Sequence, residues 1–427
     1  MPISKIAHFL ILVYMGSFDN LRFGASVSGK LLSRCIFFRV VYTNIDVNAY
    51  RDLRGLIDMT VGVFFGGMSC EHDISIITGI QAVNALVQNY EVVPIYIDSR
   101  GAWYTGKKYF DIDNFKCKSS LGGHRVFLKA GDRNLYFKKS KLKAKLDVAV
   151  VCCHGLNGED GTLQGLLQLS GVPYTGSSVL SSAMGMDKSF MKKVFESAGL
   201  PTLTCKCFKK KQFELEPDLV LSQVEHEFGY PAIVKPSNLG SSIGISVAHD
   251  SRQLVQSLKV AFEWDNSVVI EKALTDFVEL NCAVLGGAYF ETICSEIEQP
   301  KLLQEYLTYD DKYQTSNKYT SRNIPANVPL ETRRLVQTRA REVFECLNCS
   351  GVARCDFLLH GDELYINEIN TIPGSLSNYL FKYSGMSFET LLDNLIDIAF
   401  NEYRAKQRLR YAYDSNVLQN LELATKK

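Results

Sequence analysis

Apolar and polar positions along this chain repeat with two periods, and the boundary between them recurs from Met59 onward. "TVGVFFGG" is an apolar run closed by two glycines and predicts a strand over 60–65. Ile76, Ile77, Ile80, Val83 and Leu86 then recur at helical spacing and predict a helix over 74–88. "EVVPIYID" (91–98) reads as a second strand, followed by a turn-rich stretch, a basic hairpin-like segment and the apolar strand "LDVAVVCC" (146–153). Strands separated by helical segments predict a partly parallel α/β domain. Past residue 176 the pattern changes to the lysine-rich amphipathic helix "MDKSFMKKVFESAGL" and then to short strands broken by glycine, "YPAIVKPSNLGSSIGISVAHD". The last third offers strands "VELNCAVLG", "GVARCDFLL" and "ELYINEIN", a long helix from "SFETLLDNL", and a basic polar tail after about residue 404.

Composition narrows the class without naming a function. A chain of 427 residues that is 46% hydrophobic and 22% charged has room for two or three globular domains. A net charge of +1 argues against a nucleic-acid-coating surface. Twelve irregularly spaced cysteines suit a reducing compartment better than a disulfide framework. Cys346-x-x-Cys349 has no second pair at zinc-site spacing, and Cys205 with Cys207 makes a poor partner for it, so free thiols are the better reading. Residues 1–58 stand apart. "KIAHFLILVYMG" imitates a signal peptide but is too short to span a bilayer, and no steady period follows. A cleaved signal, an appended segment and a start codon placed too early all fit; the last is preferred, because Met59 opens directly onto the first strand.

The densest chemistry lies in "GVARCDFLLHGDELYINEINTIPGS" (351–375). Side chains alternate along a strand, so Arg354 and Asp356 share a face, as do Glu368 and Asn370. "HGDE" is turn chemistry and predicts an antiparallel hairpin. With an odd loop count, Asp356 stands across from Glu368 and Arg354 across from Asn370. Two carboxylates and an amide oxygen are hard donors that suit magnesium. The adjacent guanidinium would stabilise negative charge on a phosphoryl or acyl oxygen. "KPSNLGSSIGI" (235–245) places Gly240 and Gly244 around serines, letting backbone N–H groups approach an anion, with Lys235 at its base and Lys188 of "GMDKSF" as a second point charge. "VVIEKAL" (268–274) ends a strand with Glu271 and Lys272 at a plausible purine edge. By contrast, the Gly66-Gly67 turn carries Glu71 and Asp73, where a phosphate would be repelled.

In this order the motifs "GGMSCEHDIS", "HGLNGEDGTLQG", "GVPYTGS", "MDK", "KPSNLGSSIGIS", "EKAL", "YDDKY", "RCDFLL" and "NEINTIPG" resemble the D-alanine–D-alanine ligase family of ATP-grasp enzymes, from about Met59 to about residue 400. The resemblance implies an α/β, three-domain ATP-grasp fold with a Rossmann-like N-terminal domain. Its boundaries would be an extension at 1–58, an N-terminal substrate domain at 59–176, a central subdomain at 177–274, a C-terminal metal-bearing subdomain at 275–403 and a tail at 404–427. It implies ATP contacts by Lys188, Lys235, Ser241, Ser242, Glu271, Lys272, Leu274 and Glu279. Asp356, Glu368 and Asn370 would hold two Mg²⁺ (or Mn²⁺), and Arg354 with the Gly374 amide would hold an oxyanion. Lys312 and Tyr313 would lie in a mobile loop spanning 306–320. Glu71, Ser241 and Tyr313 would form a hydrogen-bonded triad. Glu71 would also take the α-ammonium of a first D-alanine, with His154 near its carboxylate.

Carried over, these roles imply ATP-driven joining of two D-alanines through an acyl phosphate, for peptidoglycan synthesis. The expected setting is a cytoplasmic homodimer with small-molecule partners, no nucleic acid and no membrane. One departure stands out. Family members commonly have a serine beyond the N-T-x-P-G motif that holds the second substrate's carboxylate; here Tyr379 takes that position, Leu380 keeps the apolar neighbour, and Ser375 or Ser377 offers a substitute. D-serine or another small amino acid is therefore an alternative acceptor. A non-catalytic protein that keeps only the fold is the other rival, and it would be expected to lose a metal ligand or the arginine.

Overall fold

The computed structural model describes residues 59–116, 122–137, 141–300 and 322–413, with two further positions in the C-terminal tail. The segment 1–58 and the positions Lys312 and Tyr313 lie outside the described residues. Three sheets organise the rest.

The first contains β1 (Thr60–Gly66), β2 (Glu91–Ile97), β3 (Trp103–Thr105), β4 (His124–Lys129), β5 (Asp132–Phe137), β6 (Lys141–Lys145) and β7 (Val148–Val151), in the order β6-β5-β4-β3-β2-β1-β7. Only β2, β1 and β7 run parallel; β2 to β6 form an antiparallel meander. The partly parallel character expected from the pattern is present. Every residue of β1 is buried, as a central parallel strand covered on both faces must be. Helix α1 (His72–Leu86) follows β1 and starts two residues earlier than its apolar spacing suggests. Its N-terminal polar residues His72 and Asp73 belong to the helix without belonging to its apolar stripe, so periodicity alone does not see them. Helices α2 (Thr162–Leu169), α3 (Val179–Met186) and α4 (Lys188–Ser197) then lead away from this sheet.

The second sheet has four strands, β8 (Cys205–Lys209), β9 (Ala232–Pro236), β10 (Ser246–Ala248) and β11 (Ser267–Lys272), ordered β10-β9-β11-β8 and antiparallel throughout. Helices α5 (Lys210–Leu215), α6 (Pro217–Glu227) and α7 (Ser251–Trp264) belong to it. One face packs Phe208, Val234, Val268 and Ile270 against Val220, Val224, Leu254 and Leu258. The other face carries the polar chemistry described below.

The third sheet, ordered β14-β13-β12-β15-β16, joins β12 (Val278–Gly287), β13 (Phe290–Pro300), β14 (Arg322–Asn323), β15 (Gly351–His360) and β16 (Glu363–Asn370). Helix α8 (Leu330–Cys346) covers it through Val336, Ala340, Val343 and Phe344. Helices α9 (Asn378–Tyr383) and α10 (Phe388–Gln407) bury Leu380, Leu392 and Ile396 in the same apolar cluster as β1 and β7. The polar tail expected from residue 404 thus begins inside α10. Among the described residues, no helix is long and apolar enough to cross a membrane.

The seat of α1 on β1 is very close. A Cβ at Gly79 would stand 2.2 Å from the Cβ of fully buried Phe65. Since neither backbone can yield without disturbing the sheet, Gly79→Ala is expected to destabilise the protein by about 1–3 kcal/mol, the usual cost of overpacking. Chemical denaturation against the unsubstituted chain measures this, and an unchanged midpoint would disprove the close contact.

Candidate functional site

The three sheets meet along one cleft, and each contributes a wall. On the first wall, β1 ends in Gly66 and Gly67 with φ of 88° and 111°, which turns the chain sharply into α1. Glu71 occupies the N-cap position of α1, yet its side chain makes no capping bond there. Its carboxylate instead accepts a short hydrogen bond from Ser241 Oγ, on the serine loop of the second sheet. The approach depends on glycine: a Cβ at Gly240 would lie 2.7 Å from Glu71 Oε2.

His154 follows β7 and is 3% exposed. Its Nδ1 lies 2.7 Å from Ile372 O and its Nε2 lies 2.8 Å from Thr78 Oγ1, which also accepts from Ser375 N at 3.0 Å. Burial lowers its pKa. A neutral ring donating from Nδ1 and accepting at Nε2 satisfies both contacts. Both ring nitrogens are therefore engaged in tying the Gly374 turn to α1. Beside it, Glu159 accepts from the N–H groups of Gly155 (2.8 Å) and Ile372 (3.0 Å); burial and the nearby Glu71 carboxylate push its pKa up to about 8.

The second wall is the polar face of the four-stranded sheet. Glu271, fully buried, bridges Lys192 Nζ at 2.7 Å and Lys235 Nζ at 2.8 Å. Burial alone would raise this carboxyl, but the two ammonium groups outweigh it and hold the pKa down to about 2. Lys235 is shifted the other way, lowered by burial despite Glu271. Lys188 donates to Leu239 O at 2.9 Å and pairs with Glu368 at 3.1 Å. Ser241 and Ser242, both with positive φ, line the cleft with Lys272, Leu274 and Glu279. Of the residues expected at the adenine edge, Glu271 has its carboxylate fully committed to lysines.

The third wall is the β15–β16 hairpin, and its register holds a correction. The connection is a two-residue turn, Gly361-Asp362, with His360 opposite Glu363. That even count would leave Asp356 facing Asn367 and would send Glu368 to the opposite face. A β-bulge between Asp356 and Phe357 inserts Asn367 as an extra residue, and beyond it Asp356 pairs with Glu368 and Arg354 with Asn370. The expected pairing is reached by a bulge and not by an odd loop. Arg354 grips Asp356 with Nε–Oδ1 at 2.6 Å and Nη2–Oδ2 at 2.7 Å, and Asn370 Nδ2 reaches Asp356 Oδ2 at 3.1 Å.

Among the described residues, no three His, Cys, Asp or Glu side chains converge as a metal cage. The convergent set is two carboxylates and an amide, the sparse oxygen set that magnesium takes when phosphate and water complete its shell. The donor chemistry therefore fits Mg²⁺, with Arg354 and Lys188 as the cations these carboxylates face here.

Between the first and third walls is a cavity of about 430 Å³, lined by Glu71, His154, Arg354, Gly374 and Tyr379 among others. Tyr379 Oη donates to Glu298 Oε2 at 2.9 Å. Arg322 pairs with Glu298 Oε1 at 3.0 Å and places its guanidinium 4.8 Å from the Tyr379 ring centre. Leu380, expected as an apolar neighbour of substrate, points into the core and is fully buried.

Four participants escaped the pattern-based reading: Lys192, Asn367, Glu298 and Arg322. Lys192 follows Lys188 by four residues and so shares its helical face. Asn367 is marked by a phase slip, since Leu364 and Ile366 are two apart whereas the next buried residue is Ile369. No local signal marks Glu298 or Arg322, which strand pairing brings together and which meet Tyr379 where α9 packs against β13.

Two family models match the chain: the D-ala D-ala ligase N-terminus over residues 60–177 and the D-ala D-ala ligase C-terminus over residues 194–397. The D-alanine–D-alanine ligase of Thermosipho africanus is 38% identical over 365 residues, covering 84% of this chain and 98% of that protein. That of Bacillus velezensis is 36% identical over 358 residues, covering 82% and 100%. Among solved structures, the D-alanine-D-alanine ligase from Coxiella burnetii superposes with a TM-score of 0.70 at 25% identity, covering 82% of this chain and 98% of that one. The VanG D-Ala:D-Ser ligase from Enterococcus faecalis gives 0.68 at 30% identity, covering 80% and 100%.

The Glu271 bridge generates a two-part expectation. Glu271→Gln leaves Lys192 and Lys235 buried without their counter-charge, which should cost about 3–5 kcal/mol at neutral pH. Because the folded pKa of Glu271 lies below its ordinary value of 4.5, its stabilisation is present above that pH and is lost as pH falls toward about 2. Denaturation curves across that interval should show a shallower acid limb in the variant; equal slopes would refute the bridge.

Proposed function

The chain belongs to the D-alanine–D-alanine ligase family, with the ATP-grasp fold, and we propose that it joins two D-alanines with ATP through an acyl phosphate, using the residues of this cleft. The dipeptide product serves peptidoglycan synthesis in this family. The observation that carries the assignment of roles is the convergence of Arg354, Asp356, Glu368 and Asn370 opposite the serine loop and Glu71.

In this reading the segments 59–176, 177–274 and 275–403 each supply one wall. ATP lies between the second and third sheets, its adenine against the Glu271–Leu274 edge and its phosphates against Lys188, Lys235, Ser241 and Ser242. Glu279 serves the ribose. Asp356, Glu368 and Asn370 would hold Mg²⁺ (or Mn²⁺), which when bound supplies charge neutralisation to the phosphate oxygens. The first D-alanine sits in the 430 Å³ cavity with its ammonium toward Glu71 and its carboxylate near the N-terminus of α1. That carboxylate attacks the γ-phosphorus, and ADP departs as the acyl phosphate forms. Little covalent work falls to side chains in such a transfer; position and charge do most of it.

The amine of the second D-alanine then attacks the acyl carbon. Two of the five guanidinium N–H groups of Arg354 are used on Asp356, and the others, with the Gly374 amide, face the developing oxyanion. Lys312 and Tyr313, on the loop outside the described residues, complete the phosphate end and the lid, which keeps water from the acyl phosphate. His154 acts here as a positioning residue, holding the Gly374 turn through Thr78 and Ser375. At the acceptor end, Arg322 stacked on Tyr379 and braced by Glu298 meets the second carboxylate in place of the missing serine hydroxyl. A cytoplasmic homodimer completes the reading.

Two measurements test it. ADP release should depend on D-alanine, and Asp356→Asn should abolish it while the circular dichroism spectrum is unchanged; normal turnover in that variant would remove the metal assignment. Arg322→Ala should raise the KM of the acceptor D-alanine roughly 10–100-fold, the worth of one charge-assisted hydrogen bond, with little effect on ATP affinity. An unaltered acceptor KM would return the carboxylate to Ser375 or Ser377.

A further inference from the structure

Four carboxylates of the cleft, Glu271, Glu298, Asp356 and Glu368, each pair with a lysine or an arginine. Glu159 is a fifth, 8% exposed, and among the described residues its hydrogen-bond partners are two backbone N–H groups in place of a cation. Taking a carboxylate out of water is costly, and two amide donors recover only part of that cost. Its raised pKa has the same origin: burial raises it first and Glu71 second, while the amides of Gly155 and Ile372 pull it back. The backbone that Glu159 grips accounts for its place.

The β15–β16 ladder ends at Asn370, opposite Arg354. Beyond it the chain leaves the sheet and enters a turn in which Ser375, Leu376 and Ser377 have φ of 49°, 50° and 52° in succession. L-residues rarely visit this left-handed region, and each visit costs on the order of 1–3 kcal/mol. Such backbone persists only where its surroundings over-determine it. Downstream, the buried side chains of Leu376 and Ser377 supply part of the hold. Upstream, it comes from side chains of the first wall. Ile372 is gripped at both polar groups: its N–H donates to Glu159 Oε1 at 3.0 Å, and its carbonyl oxygen lies 2.7 Å from His154 Nδ1. The ring of Pro373 fixes the next φ, at −70°. Ser375 N–H then donates to Thr78 Oγ1 at 3.0 Å. Gly374 stands between an anchored Ile372 and an anchored Ser375, which leaves its own N–H little freedom of direction.

We propose that Glu159 is a positioning residue for the amide-forming half of the reaction, which it serves by fixing the direction of the Gly374 N–H through Ile372. The inference rests on the reading above, in which that N–H and Arg354 hold the oxyanion. The residue type follows from the geometry. An ionised carboxylate accepts at both oxygens and donates at neither. It can therefore take the N–H of Gly155 on Oε2 and that of Ile372 on Oε1 together. A glutamine of the same shape must turn its NH₂ toward one of those two amides. In the proposed reaction the donor's ammonium beside Glu71 offsets that residue's effect on Glu159, which favours the carboxylate. Phosphate transfer makes no such demand. The groups assigned to the metal, Asp356, Glu368 and Asn370, are held by the strand ladder itself.

Glu159→Gln and Glu159→Asp test this, the second because an aspartate keeps the charge but is too short to span both amides. The full chain is mixed with ATP, Mg²⁺ and D-alanine and quenched within one turnover, so that ADP and dipeptide are read separately. Hydroxylamine captures waiting acyl phosphate as a hydroxamate. Both variants should form ADP at the unsubstituted rate. Dipeptide should form roughly 10–100-fold more slowly, short of the full cost of about 10²–10³-fold for losing an oxyanion donor outright. Hydroxamate should rise in the same samples. Equal losses of ADP and dipeptide would make Glu159 a structural residue only and overturn the inference. Slower ADP formation alone, or an unchanged dipeptide rate, would overturn it as well. If the glutamine variant does not fold, the aspartate variant decides by the same readings; failure of both to fold would assign Glu159 to stability alone. An unsubstituted chain that makes no dipeptide would instead refute the ligase reading, and this inference would fall with it.

Discussion

A single inserted residue in β16 decides which side chains of the β15–β16 hairpin share the face of the cleft. A hairpin with a two-residue turn keeps one register along its length, and in that register the carboxylate of Glu368 would face away from Asp356. The bulge at Asn367 slips the register by one between the turn and the cleft. Everything nearer the turn packs Leu364 and Ile366 into the core; everything beyond it turns Glu368 and Asn370 toward Asp356 and Arg354. The inserted side chain is used as well, because Asn367 accepts from Lys235 and links the second sheet to the third. A bulge that bends a strand also re-aims its side chains, which is why bulges recur beside active sites.

Charge is the second constraint. Asp356, Glu368 and Glu271 lie in or beside a cleft where water is scarce, and each is matched by a cation at hydrogen-bonding distance: Arg354, Lys188, and Lys192 with Lys235. Unpaired, any of these groups would neutralise or would strain the fold. Paired, they make a cleft that already holds its cations in fixed positions, so an incoming anion would meet little reorganisation. The opposite shifts of Glu271 and Lys235 have one origin, since the same burial raises an acid and lowers a base unless a partner intervenes.

The third element is the link across the cleft. A glutamate at a helix N-terminus ordinarily settles into that helix's own field. Glu71 leaves α1 uncapped by its side chain and reaches Ser241 on the serine loop, through a gap that only glycine at 240 leaves open. The first sheet and the serine loop are thereby joined by one hydrogen bond, and the chain of His154, Thr78 and Ser375 joins the first sheet to the Gly374 turn in the same way. The walls of the cleft are thus mechanically connected through side chains distant in sequence.

Much of this was readable before any coordinates. Period-two runs and glycine-ended strands located β1, β2, β9 and β15, because burial imposes its periodicity on composition. The motif order gave the family and, with it, the roles expected of Lys188, Lys235, Asp356, Glu368 and Asn370. Local sequence did not decide how those residues face one another: the expected odd loop is an even turn corrected by a bulge, although the slip from Ile366 to Ile369 was there to be noticed. Nor could it assign the carboxylate of Glu271 to two buried lysines, the ring of His154 to a positioning chain, or Leu380 to the core. The brace of Glu298 and Arg322 around Tyr379 arises from the pairing of β13 with β14 and the packing of α9 against β13. Spacing along a strand or helix fixes which side chains share a face, because backbone geometry is local; which faces then meet is set by packing between elements, and that is decided only when the whole chain has closed on its core.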